Sequence, residues 1–164
     1  MINETDKQIL KILQENARTT NAEIARQVGM APSAILERVR KLEERGVIKS
    51  YGAQLAGHAI GRGLLAFIFV RLEDMVGESK AARALSKIPE ALEVHHVAGE
   101  DCFLLKVRAA STEALGRLLR EQIGTIKGVR STRTTIVLRT EKESTALPFE
   151  EADDTRQTAH KSRQ

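Results

Sequence analysis

"VGMAPSAILERVRKLEERGVI", residues 28–48, carries its own boundaries. Pro32 suits the first position of a helix, where the N–H it lacks would have no partner anyway. Gly46 stands where a helix C-terminus favours a residue of positive φ. The stretch therefore predicts a helix from Pro32 to Arg45. At about 100° per residue, Ile35, Leu36, Val39 and Leu42 form an inward stripe. Ser33, Glu37, Arg40, Lys41 and Glu44 fall opposite, with Arg38 on the flank. Arginine can pair with guanine through two hydrogen bonds, and serine and lysine suit phosphate, so the outward face fits nucleic acid. The competing reading is a solvated face laced with i, i+4 ion pairs such as Glu37 with Lys41, each worth about 0.2–0.5 kcal/mol.

Working upstream, Thr5 and Gln8 have capping-box spacing, and Ile9, Ile12, Leu13 and Ala17 follow at helical intervals, which predicts a helix over about 6–16. Thr20 and Glu23 repeat the pattern ahead of Ile24, Ala25 and Val28, and Gly29 ends a short second helix. Downstream, "VIKSYGAQL" (47–55) combines β-formers with a glycine turn and reads as a hairpin that presents Lys49. Helix, helix, turn, helix and hairpin is the order of a winged helix-turn-helix, whose last helix enters the major groove of double-stranded DNA. Residues 1–52 are assigned to it, and 53–63 to a linker.

From residue 64 the pattern changes. "LLAFIFVRL" is an apolar run of strand length, and "ESKAARALSKIPE" places Ala81, Leu85 and Ile88 on one helical stripe. "EVHHV" and "FLLKV" are short strands about a turn at Gly99. Ser111 caps a helix with the stripe Leu115, Leu118, Leu119 and Ile123, and "VRSTRTTIVLR" alternates as a last strand. The order βαββαβ over 64–140 is ferredoxin-like, so the fold class is α+β. Two helices cover one sheet face, and the other is left as a surface for self-association. Residues 141–164 are charged and poor in large apolar side chains, which predicts a disordered tail.

The whole chain is consistent with this division. Its 164 residues are 41 % hydrophobic with net charge +4, enough apolar content for two small cores and permissive of nucleic acid. No apolar run reaches the length of a membrane span and the N-terminus lacks a secretory pattern, so a cytoplasmic protein is expected. The single cysteine, Cys102, can form neither an intrachain disulfide nor a metal site alone. His95 and His96, adjacent in a strand, point to opposite faces and make a poor metal pair. No cofactor is expected.

"DKQIL" (6–10), "VGMAPSAILERVRKLEERGVIKSY" (28–51), "HHVAGEDCFLLKV" (95–107) and "VRSTRTTIVL" (129–138) together resemble the Lrp/AsnC, or feast/famine, transcriptional regulators over about residues 3–140. The resemblance implies a DNA-binding regulator with a homodimer built on the C-terminal sheet and assembly of dimers into octamers. It also implies an amino-acid effector bound between dimers, at a glycine-acid loop and the last strand. Here those positions are Gly99, Glu100, Asp101 and Cys102, with Thr132 and Thr134 offering two hydroxyls from one strand face. Two departures matter. Ala31 stands at the N-cap of the third helix where many members carry serine, and Cys102 replaces the second acid of the family's frequent Gly-Asp-x-Asp-Tyr. A neutral thiol facing the ligand favours an apolar or sulfur-bearing effector over a cationic one.

Two further readings compete. Sirohaem decarboxylases resemble this fold, and there His95 and His96 would carry tetrapyrrole chemistry. An RNA-binding sheet needs stacking aromatics on its central strands, and "FLLKV" offers only Phe103.

Overall fold

The computed structural model describes residues 2–73, 78–99 and 101–149. The chain divides into two units. One runs to Ala53 and regains the chain at Glu143, and the other is Gln54–Lys142.

In the first unit, α1 (Glu4–Glu15), α2 (Asn21–Val28) and α3 (Pro32–Glu44) follow in quick succession. The start of α1 differs from expectation. Asn3, not Thr5, is the N-cap: its side chain accepts from the Asp6 N–H, and the Asp6 carboxylate accepts from the Asn3 N–H in return. Both Thr5–Gln8 and Asn3–Asp6 have capping spacing, and the asparagine set two residues earlier gains the extra helical residues. Thr20 caps α2 as expected, accepting from the Glu23 N–H, and Gly29 ends it at φ 73°. Ala31 caps α3 with no side-chain bond, Pro32 opens the helix, and Gly46 turns the chain at φ 67°.

Ile9, Leu10, Ile24, Ala25, Ile35 and Leu42 form the core of this unit. Leu36 does not join them. It is 57 % exposed, although the sequence reading placed it in the inward stripe. A stripe centred on Ile35 and Leu42 leaves Leu36 about 100° to one side, beyond the reach of α1 and α2.

The hairpin also fails to form, since 47–56 carry no strand. The N–H groups of Val47 and Ile48 both donate to the Leu42 carbonyl, folding the chain back over the end of α3, where the two side chains pack against the core. The β-branched pair that suggested a strand closes the helical core instead.

The segment at 143–149 departs from the disordered tail as well. The Gln14 side-chain amide donates to the Leu147 carbonyl at 3.0 Å and accepts from the Leu147 N–H at 2.7 Å. Phe149 packs against the helical core. One amide side chain thus pairs with a backbone residue as a neighbouring strand would.

In the second unit, β1 (Leu64–Leu72), α4 (Glu78–Leu85), β2 (Ala91–His96), β3 (Phe103–Ala109), α5 (Thr112–Arg117) and β4 (Val129–Ile136) give the expected βαββαβ order. A 3-10 turn at Gly57–Ile60 precedes β1, and α5 runs on as a π-helical stretch, Leu118–Ile123. The sheet order is β2-β3-β1-β4, antiparallel throughout. Ala66, Ile68, Val70 and Leu72 of β1 with Phe103, Leu105, Val107 and Ala109 of β3 form the covered face. They pack with Ala81 and Leu85 of α4, Leu115 of α5, and Leu118 and Ile123 beyond it. On the opposite face, Phe67, Phe69 and Leu104 remain half-buried.

Candidate nucleic-acid interface and effector site

The outward face of α3 is a connected set of ion pairs. Glu37 accepts from Arg40 Nη2 at 2.8 Å and Nε at 3.1 Å, and Lys41 Nζ lies 3.4 Å from the same carboxylate. Arg40 Nη1 also donates to Glu44. The Arg40 hydrogen bonds are the main cause that holds Glu37 at a pKa of about 2, and Glu37 in turn raises Arg40 above its ordinary value. Two cations and two carboxylates leave this cluster with no net charge. All four side chains are about half-exposed or more, where solvent screens ion pairs, so phosphate or base edges can displace them. Ser33 and Lys49 are exposed.

Arg38, also proposed from sequence to meet DNA, faces another way. Its Nη1 donates to Asp6 Oδ1 at 2.8 Å, tying α3 to α1. At the far end of α3 the Tyr51 hydroxyl donates to Glu43 at 2.9 Å, and burial, with help from that carboxylate, pushes the phenol up to about 12. The sequence reading missed both Asp6 and Tyr51. Asp6 carried a signal, as an acid falling among the apolar positions of α1.

The proposed effector residues do not converge in one chain. Glu100 lies outside the described residues. Asp101 Oδ2 accepts from Arg133 Nη2 at 2.8 Å, and that guanidinium lies 4.0 Å above the Phe69 ring. Register explains the stack: Phe69 pairs with Arg133 across β1 and β4 and with Leu104 across β1 and β3, all on the open face. Thr132 and Thr134 pair with Val70 and Ile68, so they point to the helix-covered side, where Thr132 is exposed and Thr134 half-buried. The loop acid and the two hydroxyls therefore lie on opposite faces of β4.

Cys102 is a buried apolar filler, the reading that a lone cysteine beside a strand favours, and its ligand-facing role is corrected. It is 8 % exposed and packs in the core, with its N–H donated to the Val70 carbonyl at 2.9 Å. The thiol cannot wall a ligand site from there, so the sequence-based preference for a sulfur-bearing or apolar effector loses its footing. Arg133 and Phe69 were missed, although alternation puts Arg133 between the two threonines and on the other face.

His95 and His96 do part to opposite faces, in register with Leu104 and Phe103. His95 Nε2 lies 3.1 Å from Glu93, and the His96 ring is 5.3 Å from that of Phe103. Among the described residues, no cluster of three or more His, Cys, Asp and Glu is placed to hold a metal, and no helix is long and apolar enough to cross a membrane.

The model of a winged helix-turn-helix DNA-binding domain matches residues 2–49, and that of the Lrp/AsnC ligand-binding domain matches 65–147. The chain is 42 % identical to the HTH-type transcriptional regulator FL11 of Pyrococcus horikoshii over 149 residues, 90 % of this chain and 97 % of that one. It is 36 % identical to the leucine-responsive regulatory protein of Escherichia coli over 144 residues, 87 % of this chain and 88 % of that one. A solved transcriptional regulator of Neisseria meningitidis in complex with L-methionine superposes with a TM-score of 0.84 at 32 % identity, covering 90 % of this chain and 97 % of that one.

Proposed function

The chain belongs to the Lrp/AsnC family of helix-turn-helix transcriptional regulators, and from that premise we propose how its two units divide the work. It is a regulator and not an enzyme, since the relatives and solved structures it matches are regulators; the tetrapyrrole reading of His95 and His96 is set aside on that ground.

In this reading α3 enters the major groove of double-stranded DNA. Ser33, Glu37, Arg40 and Lys41 meet bases and phosphates, Lys49 meets phosphate from the segment after the helix, and Arg38 holds the helix in place through Asp6. The observation that supports this best is the α3 face itself, an exposed ion-paired set of neutral sum that duplex DNA can open at little cost.

The second unit takes a small effector, an amino acid by analogy with the relative solved with L-methionine. It binds between dimers, where the Gly99–Cys102 loop and β4 of one protomer are completed by another. Asp101 and Arg133 then supply a carboxylate and a guanidinium for the ligand's ammonium and carboxylate. Thr132 and Thr134 serve from the other side of β4 only if a second protomer lies there. Two protomers pair through the C-terminal sheet into a homodimer, and dimers assemble further, as far as an octamer. The protein acts in the cytoplasm.

Thermal unfolding in the presence of each of the twenty amino acids tests the effector half, because a ligand that binds only the folded protein raises its melting temperature by mass action. One amino acid or a small related group should raise it; a uniform absence of shift at millimolar concentrations contradicts an amino-acid effector.

A further inference from the structure

Leu36 is the misfit of α3. Among the described residues of α1, α2 and α3, it is the only large apolar side chain left exposed. It sits one turn into the helix, three residues after Ser33 and four before Arg40, on the flank of the outward face. The polar neighbours toward the C-terminal end have partners, since Arg40 spans Glu37 and Glu44 and Lys41 reaches Glu37. The part of the face that leads into the groove is therefore Pro32, Ser33 and Leu36, without a cation among them. A leucine there can neither neutralise a phosphate nor hydrogen-bond a base edge. Among the base edges of the major groove, the apolar feature is the thymine 5-methyl group.

We propose that Leu36 reads a thymine by packing against its 5-methyl group, which makes it a specificity-determining residue of the recognition helix. This rests on the reading that α3 enters the major groove. Burying the leucine against the methyl removes apolar surface from water on both partners, and one methyl group's worth of such burial corresponds to about a fourfold change in affinity. Charge does not enter the contact, so the discrimination persists at high salt while overall affinity falls.

The test uses the full chain and a duplex selected by it from a random pool, with each thymine of the footprint replaced singly by deoxyuridine, which pairs alike but lacks the methyl. The wild-type protein should lose about fourfold at one or more positions. Leu36→Ala should bind the thymine duplex about as weakly as the wild type binds the uracil one, and should not distinguish the two. Leu36→Met, which keeps an apolar contact, should retain the distinction. Wild-type indifference at every thymine overturns the proposal, and this arm needs no variant to fold. Discrimination by Leu36→Ala equal to the wild type overturns it as well, because another group then reads the methyl. Arg40→Ala separates the two levels: if it weakens binding while uracil does not, only the role of Leu36 falls. If Arg40→Ala, Leu36→Ala and every uracil are all without effect, the placement of α3 in the groove falls with it.

Discussion

Arg38 of α3 holds Asp6 of α1 at 2.8 Å, and the same carboxylate accepts the Asn3 N–H that opens α1. One acid, only 7 % exposed, thus fastens the start of the first helix to the middle of the third. Sequence spacing put Arg38 at the edge of a DNA-facing surface, while the structure gives it this structural partner. Arg38→Met should destabilise the N-terminal unit by about 1.5–3 kcal/mol, the range for a hydrogen bond to a charged group. It should leave the salt dependence of DNA binding unchanged. Melting curves and a salt titration of the same variant check both halves; a reduced salt slope at wild-type stability shows that Arg38 meets phosphate instead.

Glu37 sets the charge of the recognition face. With its folded pKa at about 2 against an ordinary 4.5, the ionised form is favoured by Arg40 and Lys41. The contribution of these pairs is complete above about pH 4.5 and is lost as pH falls through about 2. DNA affinity should therefore show no step from this residue between pH 5 and 8. Glu37→Gln should free Lys41 and leave Arg40 held by Glu44 alone, tighten binding to random-sequence DNA and steepen its salt dependence. Fluorescence anisotropy on unrelated duplexes reads this directly, and unchanged random-sequence affinity argues that the freed cation does not face the backbone.

The Gln14–Leu147 pair predicts that the chain beyond Lys142 supports the helical unit rather than trailing from it. Ending the chain at Lys142 removes Phe149 from the core edge and should lower protection of the α1 amides about tenfold in hydrogen exchange. Gln14→Ala should reproduce a smaller part of that loss, on the order of 1 kcal/mol. Unaltered exchange in α1 contradicts a stabilising role for the segment.

On the effector side, Asp101→Asn and Arg133→Gln should each weaken the amino-acid response, since each removes a charge from the pair stacked on Phe69. Cys102→Ser should instead lower stability, because the hydroxyl is buried among apolar neighbours. Calorimetry with the amino acid that raises the melting temperature distinguishes them. Full response in Asp101→Asn and Arg133→Gln, with loss in Thr134→Ala, moves the site to the other face of β4.

Much of this architecture was legible in the sequence for physical reasons that can be named. Pro32, Gly46, Thr20 and Ser111 mark helix ends because each meets a backbone requirement local to its own turn. β1 was legible because a strand flanked by two others and covered by helices reads as a nearly unbroken apolar run. What escaped depends on partners distant in sequence. Leu36 counts as core by periodicity, but how far round α3 the core reaches is set by α1 and α2. Val47 and Ile48 have strand propensity, yet the Leu42 carbonyl and the core edge claim them first. The candidate effector loop was proposed from its glycine and acids, whereas Arg133 and Phe69 become neighbours only once β4 lies beside β1.

The central claim is that α3 reads a duplex through an exposed face held ready by its own ion pairs. Its most direct measurement is the affinity of wild type, Arg40→Ala and Lys49→Ala for a selected and a random duplex, between low and physiological salt. Binding should be dimeric, with half-sites about 10 base pairs apart, and affinity should fall steeply with salt. Arg40→Ala should lose roughly 1–3 kcal/mol on the selected duplex only, and Lys49→Ala should weaken both duplexes alike. Affinity that stays flat with salt and is untouched by either substitution contradicts the claim.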